Sequence, residues 1–563
     1  MKKKFLAMLL VASMVFSFAG CSKGKNKEAE DASTSSEVAE DAKTETNTDS
    51  ANDESSALIT KDVTINVRAM NQYTNLDRIL DKYYELVADD PNLKHVKLNF
   101  NYVPGADYKD KLTTAVVAQE DIDLLFVGSW QGRTDFVKDG VFKDVSKYFS
   151  DSKNYPGLNE VFPEKMIEAQ KYNGGLYYIP LGAGEDLRGV IYREDLRKQY
   201  GCAEIVDDST LMAYLQTIQS HIDDGSLDMK YAWGITNQGF MTFRDMMFEA
   251  QKNNMLKVNV ANGLDFFVYV DDNNKVVNAA VMGDDASQFA GFPAGYDKDF
   301  ISEHFADLTN YVQYANNYAV DGDQYIDFNM GQVAVAYKSY SEQGTTIKEL
   351  KKNVPDAETK FYVFDEDQRN MVAGGIPSTL AANNSVAIPA WSSEEKTTAV
   401  MCFLDALYSR KEINDLFIYG VEGEDWESQD GVVLNTLRDS EDPDYYSFPS
   451  YSLVYTPQGM GYYQDWVAND ETLKKYYDYQ SDLENSYTLT KFVGFNFDAT
   501  NVESEKAALT GVAENYMFNY GTYESVDATY EKIAEQHKQL EAAGLETVRQ
   551  EIIKQVQAFF DAK

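Results

Sequence analysis

The stretch SWQGR (129–133) sets the indole of Trp130 beside the amide of Gln131 and the guanidinium of Arg133, directly after the apolar run DLLFVG (123–128). A flat ring with hydrogen-bonding groups at its edge suits a sugar, which offers an apolar CH face and a fringe of hydroxyls. Comparable groupings recur along the chain. Asn71, Gln72 and Tyr73 precede a helix-like segment, and Trp233 and Phe240 flank a Gly and polar run in YAWGITNQGF (231–240). Tyr337 and Tyr340 close AVAYKSY (334–340), and Asp186 and Arg188 stand beside Glu185 in GEDLRG (184–189), placed either to bond hydroxyls or to pair with each other's lobe. These are the candidate substrate-binding residues. Residue counts do not select them, because most of the 39 Tyr, 30 Phe and 5 Trp belong to cores or ordinary surface. Position does: Trp130 and the Asn71 group fall where a strand gives way to a helix, the edge at which α/β sheets collect ligands. Helix N-terminal amides there can hold a hydroxyl or a carboxylate, with Asn75 available as an N-cap.

No catalytic pattern has comparable support. Glycoside hydrolysis needs two carboxylates about 5 to 10 Å apart, and among 91 acidic residues pairs arise by chance without a local signature. GCSKG (20–24) matches a nucleophile elbow only in letters, since it follows an apolar leader rather than a strand. GAGEDLRG (182–189) has the wrong spacing for a dinucleotide loop, and no GxxxxGK[ST] phosphate loop exists. His95, His221, His304 and His537 are isolated, and no CxxC or Cys/His zinc spacing is present. We therefore expect no catalytic residue, no metal and no cofactor. Whether Cys202 and Cys402 pair is open at this level.

The elements that would position these groups follow from periodicity. VTINVRA (63–69) and HVKLNFNYV (95–103) alternate like strands, 75–90 and 108–121 carry helical spacing, and 123–128 is continuously apolar as a buried parallel strand is. Strand, helix, strand, helix, strand predicts an α/β sheet with crossover helices. About 505 residues follow the N-terminal tail, which is too many for one core, so at least two lobes are expected.

The N-terminus opens with Lys2, Lys3 and Lys4 and the apolar run 5–20, the layout of an export signal shorter than a membrane span. Phe18-Ala19-Gly20-Cys21 resembles the lipobox of bacterial lipoproteins, which implies lipidation of Cys21; two acyl chains, at about 0.8 kcal/mol per buried CH2, hold a protein on a membrane. Residues 22–57 contain Val38 as their one large apolar side chain and read as a disordered acidic tether. The chain carries a formal charge of −40, and −43 once the three leader lysines are removed, which disfavours nucleic acid and anionic lipid as partners.

The order of motifs from residue 60 to the end resembles extracellular solute-binding proteins of bacterial carbohydrate ABC transporters. It rests on DLLF (123–126), Trp130, GVFKDVSKYF (140–149), GLYYIPLGAGEDLRGVIYREDL (175–196), DFNMGQVAVAYKSY (327–340) and SVAIPAWSSEEKTTAVMCFLDALYSR (385–410). IYGVEGEDWE (418–427) and KFVGFNFDATNVESEKAALTGVAENY (491–516) are similar to the larger lipoprotein-type members, with Glu424-Asp425-Trp426 standing where relatives often carry a His-Tyr-like pair. The resemblance implies a two-lobed periplasmic-binding-protein (Venus flytrap) fold, type II-like, with an added helical C-terminal region. Its divisions are 1–20 signal peptide, 21–57 lipidated Cys and tether, 58–184 lobe 1 with a returning segment at about 370–425, 185–369 lobe 2, and 426–563 helical extension. It also implies a monomeric, non-catalytic receptor, lipid-anchored on the extracellular face of the cell membrane, that captures oligosaccharides in a hinged cleft and delivers them to a permease driven by a separate ATPase. A secreted glycoside hydrolase and a surface polysaccharide adhesin are the alternative readings.

Overall fold

Alternation in β1 (Val63–Met70) buries Val63, Ile65, Val67 and Ala69, while β3 (Leu124–Gly128) is buried at every position, as a strand covered on both faces must be. The computed structural model describes residues 57–563 except 183, 235–246, 262, 317–323, 440, 448–452, 458–459 and 518–524, and 57–563 form one compact unit. β1 pairs in parallel with both β2 (Val96–Val103) and β3. α1 (Leu76–Leu86) buries Leu76, Ile79 and Tyr83, and α2 (Gly105–Ala118) buries Tyr108, Leu112 and Ala115. All five elements lie within a few residues of the stretches whose periodicity predicts them. The sheet order is β2-β1-β3-β13-β4, with β13 (Asn384–Ala387) antiparallel to β3 and to β4 (Ile179–Pro180).

After β4 the chain enters a second sheet at β5 (Arg188–Arg193). That sheet has the order β11-β5-β10-β6, built from β6 (Tyr231–Gly234), β10 (Val333–Ser339) and β11 (Thr359–Val363). Its core holds Tyr192, Tyr214, Trp233 and Val335. An antiparallel meander, β7 (Met255–Ala261), β8 (Leu264–Val270) and β9 (Val276–Ala280), is inserted between β6 and β10. The chain returns through β12 (Ile376–Ser378) to β13 and the helix Glu394–Ser409. The strand Tyr487–Leu489 pairs in parallel with β12 and marks another passage of the chain beside the crossing. The result is a two-lobed mixed α/β fold.

The C-terminal third departs from a purely helical extension. It begins with a small sheet of Trp426–Gln429, Val433–Thr436 and Tyr463–Gln464. Asp425 of the Glu424-Asp425-Trp426 loop forms a two-pronged ion pair with Arg78 of α1, at 2.7 and 2.7 Å, so the loop is fastened to lobe 1. Ile413, Phe417, Leu473, Tyr476 and Tyr479 share one core with β1. Farther on, Leu509, Leu540, Val548, Ile552 and Phe560 share another with Phe266 and Val268 of the meander. Cys202 and Cys402 are free thiols in different cores, and burial pushes Cys402 up to about 12. Among the described residues no helix is long and apolar enough to cross a membrane, and no group of His, Cys, Asp and Glu has metal-binding geometry. The expected leader, Cys21 and most of the tether lie outside the described residues.

Candidate functional site

At the carboxyl end of β1, Asn71 adopts the left-handed region (φ 62°), which asparagine tolerates better than most residues, and its Oδ1 accepts from Gly105 N at 3.0 Å. Asn71 and Gln72 are exposed. Tyr73 turns inward, 2% exposed, edge-on to Phe100 at 5.6 Å, so it belongs to the core rather than to a binding rim. At the end of β3 the Trp130 indole is 52% exposed and its Nε1 donates to Asn384 Oδ1 at 3.3 Å. The ring lies across Gly128, where an added Cβ would stand 2.3 Å from Nε1, so only glycine allows that approach.

Its neighbours Gln131 and Arg133, expected to face a ligand, are buried instead. Gln131 Oε1 accepts from Gly128 N at 2.9 Å, which tightens the turn carrying Trp130. Arg133 donates to Ser385 Oγ at 3.0 Å and Ala382 O at 2.7 Å and lies 3.9 Å over the Tyr178 ring; burial lowers its pKa. A buried cation with these partners fixes β13 against β3, because leaving it unpaired would be costly.

In the second lobe Trp233 is fully buried, edge-on to Tyr311 at 5.9 Å, and is a core ring rather than a stacking wall. Tyr340 is likewise buried and donates to Leu473 O at 2.8 Å. Tyr337 is half-buried and stacked on Phe364 at 6.3 Å, and Arg188 opposite Ser339 is half-buried at the crossing. Phe240 lies outside the described residues. Asp186 accepts from Ser341 N at 3.1 Å and Ser341 Oγ at 2.5 Å, and burial raises its pKa.

Asp186 is the candidate that lines a cavity of about 1090 Å³. Small-molecule pockets run to about 1,000 Å³, so more than one sugar ring fits. Its floor is the crossing itself, Gly182, Gly184, Glu185 and Asp186; Glu160, Val161 and Pro163 of lobe 1 form one side, and Tyr455, Tyr463, Tyr477, Asp478 and Gln480 of the C-terminal third form the other. Tyr487 pins floor to wall: its hydroxyl accepts from Glu185 N at 2.9 Å and donates to Gln480 O at 2.8 Å. Tyr463 donates to Asp478 Oδ1 at 2.6 Å, a bond that holds its phenol up at about 12, and its ring meets Tyr477 edge-on at 5.3 Å. Tyr455 stacks on Phe162 at 5.0 Å.

The wall residues lie in the stretch expected as a helical extension, away from the strand ends that mark the other candidates. Their signal is in KKYYDYQSD (474–482). Within the helix Glu471–Ser481, Leu473, Tyr476 and Tyr479 are buried at a spacing of three, which assigns Tyr477, Asp478 and Gln480 to other faces. Half-buried tyrosine rings beside carboxylates and an amide can stack on CH faces and bond hydroxyls.

Comparison with known proteins agrees with this architecture. Residues 74–218 match the family model of bacterial extracellular solute-binding proteins, and 491–561 match a domain of unknown function, DUF3502. The chain is similar to the crystal structure of an N-glycan transport solute binding protein (NgtS) from Streptococcus pneumoniae, at 17% identity and TM-score 0.63, covering 88% of this chain and 99% of that one. The same protein in complex with Man5GlcNAc matches at 18% identity and TM-score 0.55, over 89% and 99% of the two chains. An HMO-binding solute binding protein associated with an ABC transporter, from Bifidobacterium longum infantis, matches at 12% identity and TM-score 0.58, over 89% and 99%. At such identities the likeness establishes the fold. No curated protein matches the chain significantly.

Proposed function

We propose that this chain, with the two-lobed fold of solute-binding proteins and residues 74–218 matching their family model, is the substrate-binding component of an ABC importer for oligosaccharides. The observation that carries this reading is the cavity of about 1090 Å³ at the crossing between lobes, walled by tyrosines, carboxylates and an amide. The oligosaccharide complex of the Streptococcus pneumoniae relative supports it. Ligand drives closure only through contacts that differ between open and closed forms, so the floor at 182–186, between the sheets, is where binding energy becomes lobe movement. The closed form then docks on a permease whose ATPase is a separate chain. Trp130, Asn71 and Gln72 would extend the contact surface along the rim of lobe 1.

The anchor is part of the proposal. Lipidated Cys21 and the stretch 22–57 hold the receptor at the extracellular face as a monomer, on a tether spanning on the order of 30 Å. Cys21→Ser is expected to abolish labelling by palmitate and release the protein to the medium; retention of both would overturn the anchor.

Binding is tested by a thermal-shift screen of the full chain against oligosaccharides, with calorimetry and product analysis on every hit. Ligand at 100 times its dissociation constant stabilises the folded state by about 2.7 kcal/mol. A shift with intact sugar recovered supports the receptor. Cleaved products would transfer the cavity to a hydrolase, and no response to any sugar would overturn carbohydrate binding.

A further inference from the structure

Residues 491–561, the stretch matched by a domain of unknown function, ride on the second lobe. The meander beneath them is covered on both faces. Met255, Phe267 and Ala280 share the core of the second sheet with Trp233 and Val335, whereas Leu256, Val258, Phe266 and Val268 share a core with Leu509, Leu540, Val548 and Ile552. The buried pair of Arg549 and Asp284, at 2.8 and 2.8 Å, closes the outer interface, and Gln557 Oε1 accepts from Val276 N at 3.0 Å. A strand layer filled on both sides by close-packed side chains moves as one piece with its neighbours.

A side chain of this body reaches the other lobe. Asp498 lies between Phe497 and Ala499, both packed on the meander core, and its backbone exchanges two hydrogen bonds with the Gln555 amide at 2.8 and 2.7 Å. Its Oδ1 accepts from Thr500 Oγ1 at 2.6 Å and Thr500 N at 3.0 Å, which with Lys138 hold the carboxyl down at about 2. The other oxygen, Oδ2, stands 3.0 Å from Lys138 Nζ. Lys138 ends the helix Arg133–Lys138, which follows the Trp130 turn and buries Val137 in a lobe 1 core with Met70 and Phe126.

We infer that 491–561 is an arm of the second lobe and that Lys138 and Asp498 form a latch between the lobes, holding their present arrangement and parting when they rotate. The inference rests on the two-lobed fold and not on what the cavity binds. Each partner is fixed to a different lobe, so hinge rotation changes their separation, whereas a pair within one lobe, such as Arg549 with Asp284, rides along unaltered. Strength suits the role. The side chains are 22% and 41% exposed, and an exposed pair biases an equilibrium by up to about fivefold, which a ligand with differential affinity for the two arrangements can override. Thr500 holds the carboxylate in place beforehand, so Lys138 is the side chain that must be ordered for the latch to form.

The test is the distance between lobes in the full chain, read by pulsed electron resonance from spin labels on unnatural side chains at positions 117 and 206. Val117 of α2 and Val206 of the second lobe are both exposed, and labels of this kind spare the cysteines. Lys138→Met and Asp498→Asn, the second keeping an acceptor for Thr500, should each shift the ratio of lobe arrangements by up to about fivefold at low salt. Lys138→Glu should shift it further by adding repulsion, and Lys138→Arg should stay near the parent. Salt at about 1 M should carry the parent toward the variants with no substitution made. Melting should stay near the parent's throughout, because both side chains are part-exposed. Distances identical in parent and variants at both salts would make the pair a fixed strut and overturn the latch. A shift in Lys138→Met that Asp498→Asn lacks would assign the effect to a different partner of Lys138 and overturn it as well. Either result leaves the carbohydrate reading standing, since no sugar enters the measurement.

Discussion

The two halves of the C-terminal third do different work with similar materials. The stretch 453–487 is woven against lobe 1 and the crossing and leaves half-buried Tyr455, Tyr463 and Tyr477 facing a cavity. The stretch 503–561 packs Leu509, Leu540, Val548 and Ile552 onto the meander and fastens it with a buried ion pair, Arg549 to Asp284 at 2.8 and 2.8 Å, joined by His537 Nε2 at 2.7 Å. Both halves carry tyrosine or phenylalanine side chains on helices, Glu471–Ser481 in the first and Leu545–Asp561 in the second. What separates them is where polar groups end up: paired and sealed in one, lining open space in the other.

The largest expected effect tests the sealed half. Asp284→Ala leaves the buried Arg549 guanidinium with only the exposed Glu546 carboxylate at its Nε and should cost about 3 kcal/mol of stability, read as a lower melting midpoint, with oligosaccharide affinity unchanged. Loss of affinity without loss of stability would erase the distinction between the halves.

Tyr477→Ala and Tyr463→Ala make the opposite test. Each should weaken oligosaccharide binding by about 2 kcal/mol, in the range of a central aromatic contact, while melting stays near that of the parent. Trp130→Ala sharpens this by comparing cavity with rim: with 52% of the residue already exposed, its removal should cost about 1 kcal/mol of binding. A larger loss at Trp130 than at Tyr477 would move the main contact from the crossing to the strand ends of lobe 1.

The smallest effect concerns how the cavity side is held. Asp405 accepts from Leu158 N at 2.8 Å, at the start of the helix Pro156–Val161 whose far end supplies Glu160, and burial pushes its carboxyl up to about 6. A carboxyl whose folded pKa is raised binds more protons folded than unfolded between its ordinary range near 4 and about 6. Its contribution to stability is therefore greatest at low pH and is lost as pH rises through about 6. Asp405→Asn should flatten the dependence of melting on pH between about 4 and 6 relative to the parent, and an identical slope would remove Asp405 as its source.

Legibility followed the range of the interactions. Alternation in 63–69 and helical spacing in 75–90 report which face is buried, and β1 and α1 obey them because each needs only one apolar side. The Trp130 turn was legible as a strand end, but the direction of Gln131 and Arg133 was not: their partners Met70, Ser385 and Ala382 are distant in sequence. Trp233 and Tyr340 misled for the same reason, since an aromatic next to glycine or serine reads alike whether it lines a cleft or plugs a core.

By itself, then, the sequence determined the strand and helix pattern, the α/β class, the return of the chain at 385–410 and an acidic composition without catalytic or metal motifs. Those properties are written in neighbouring residues and in sums over the chain. The tertiary structure decided which aromatics face a cavity, that Cys202 and Cys402 stay apart, and that Tyr455, Tyr463 and Tyr477 line the cavity that Asp186 shares. Such choices depend on contacts between segments hundreds of residues apart, such as Tyr487 with Glu185, which carry no local pattern because either partner alone satisfies the same local rules.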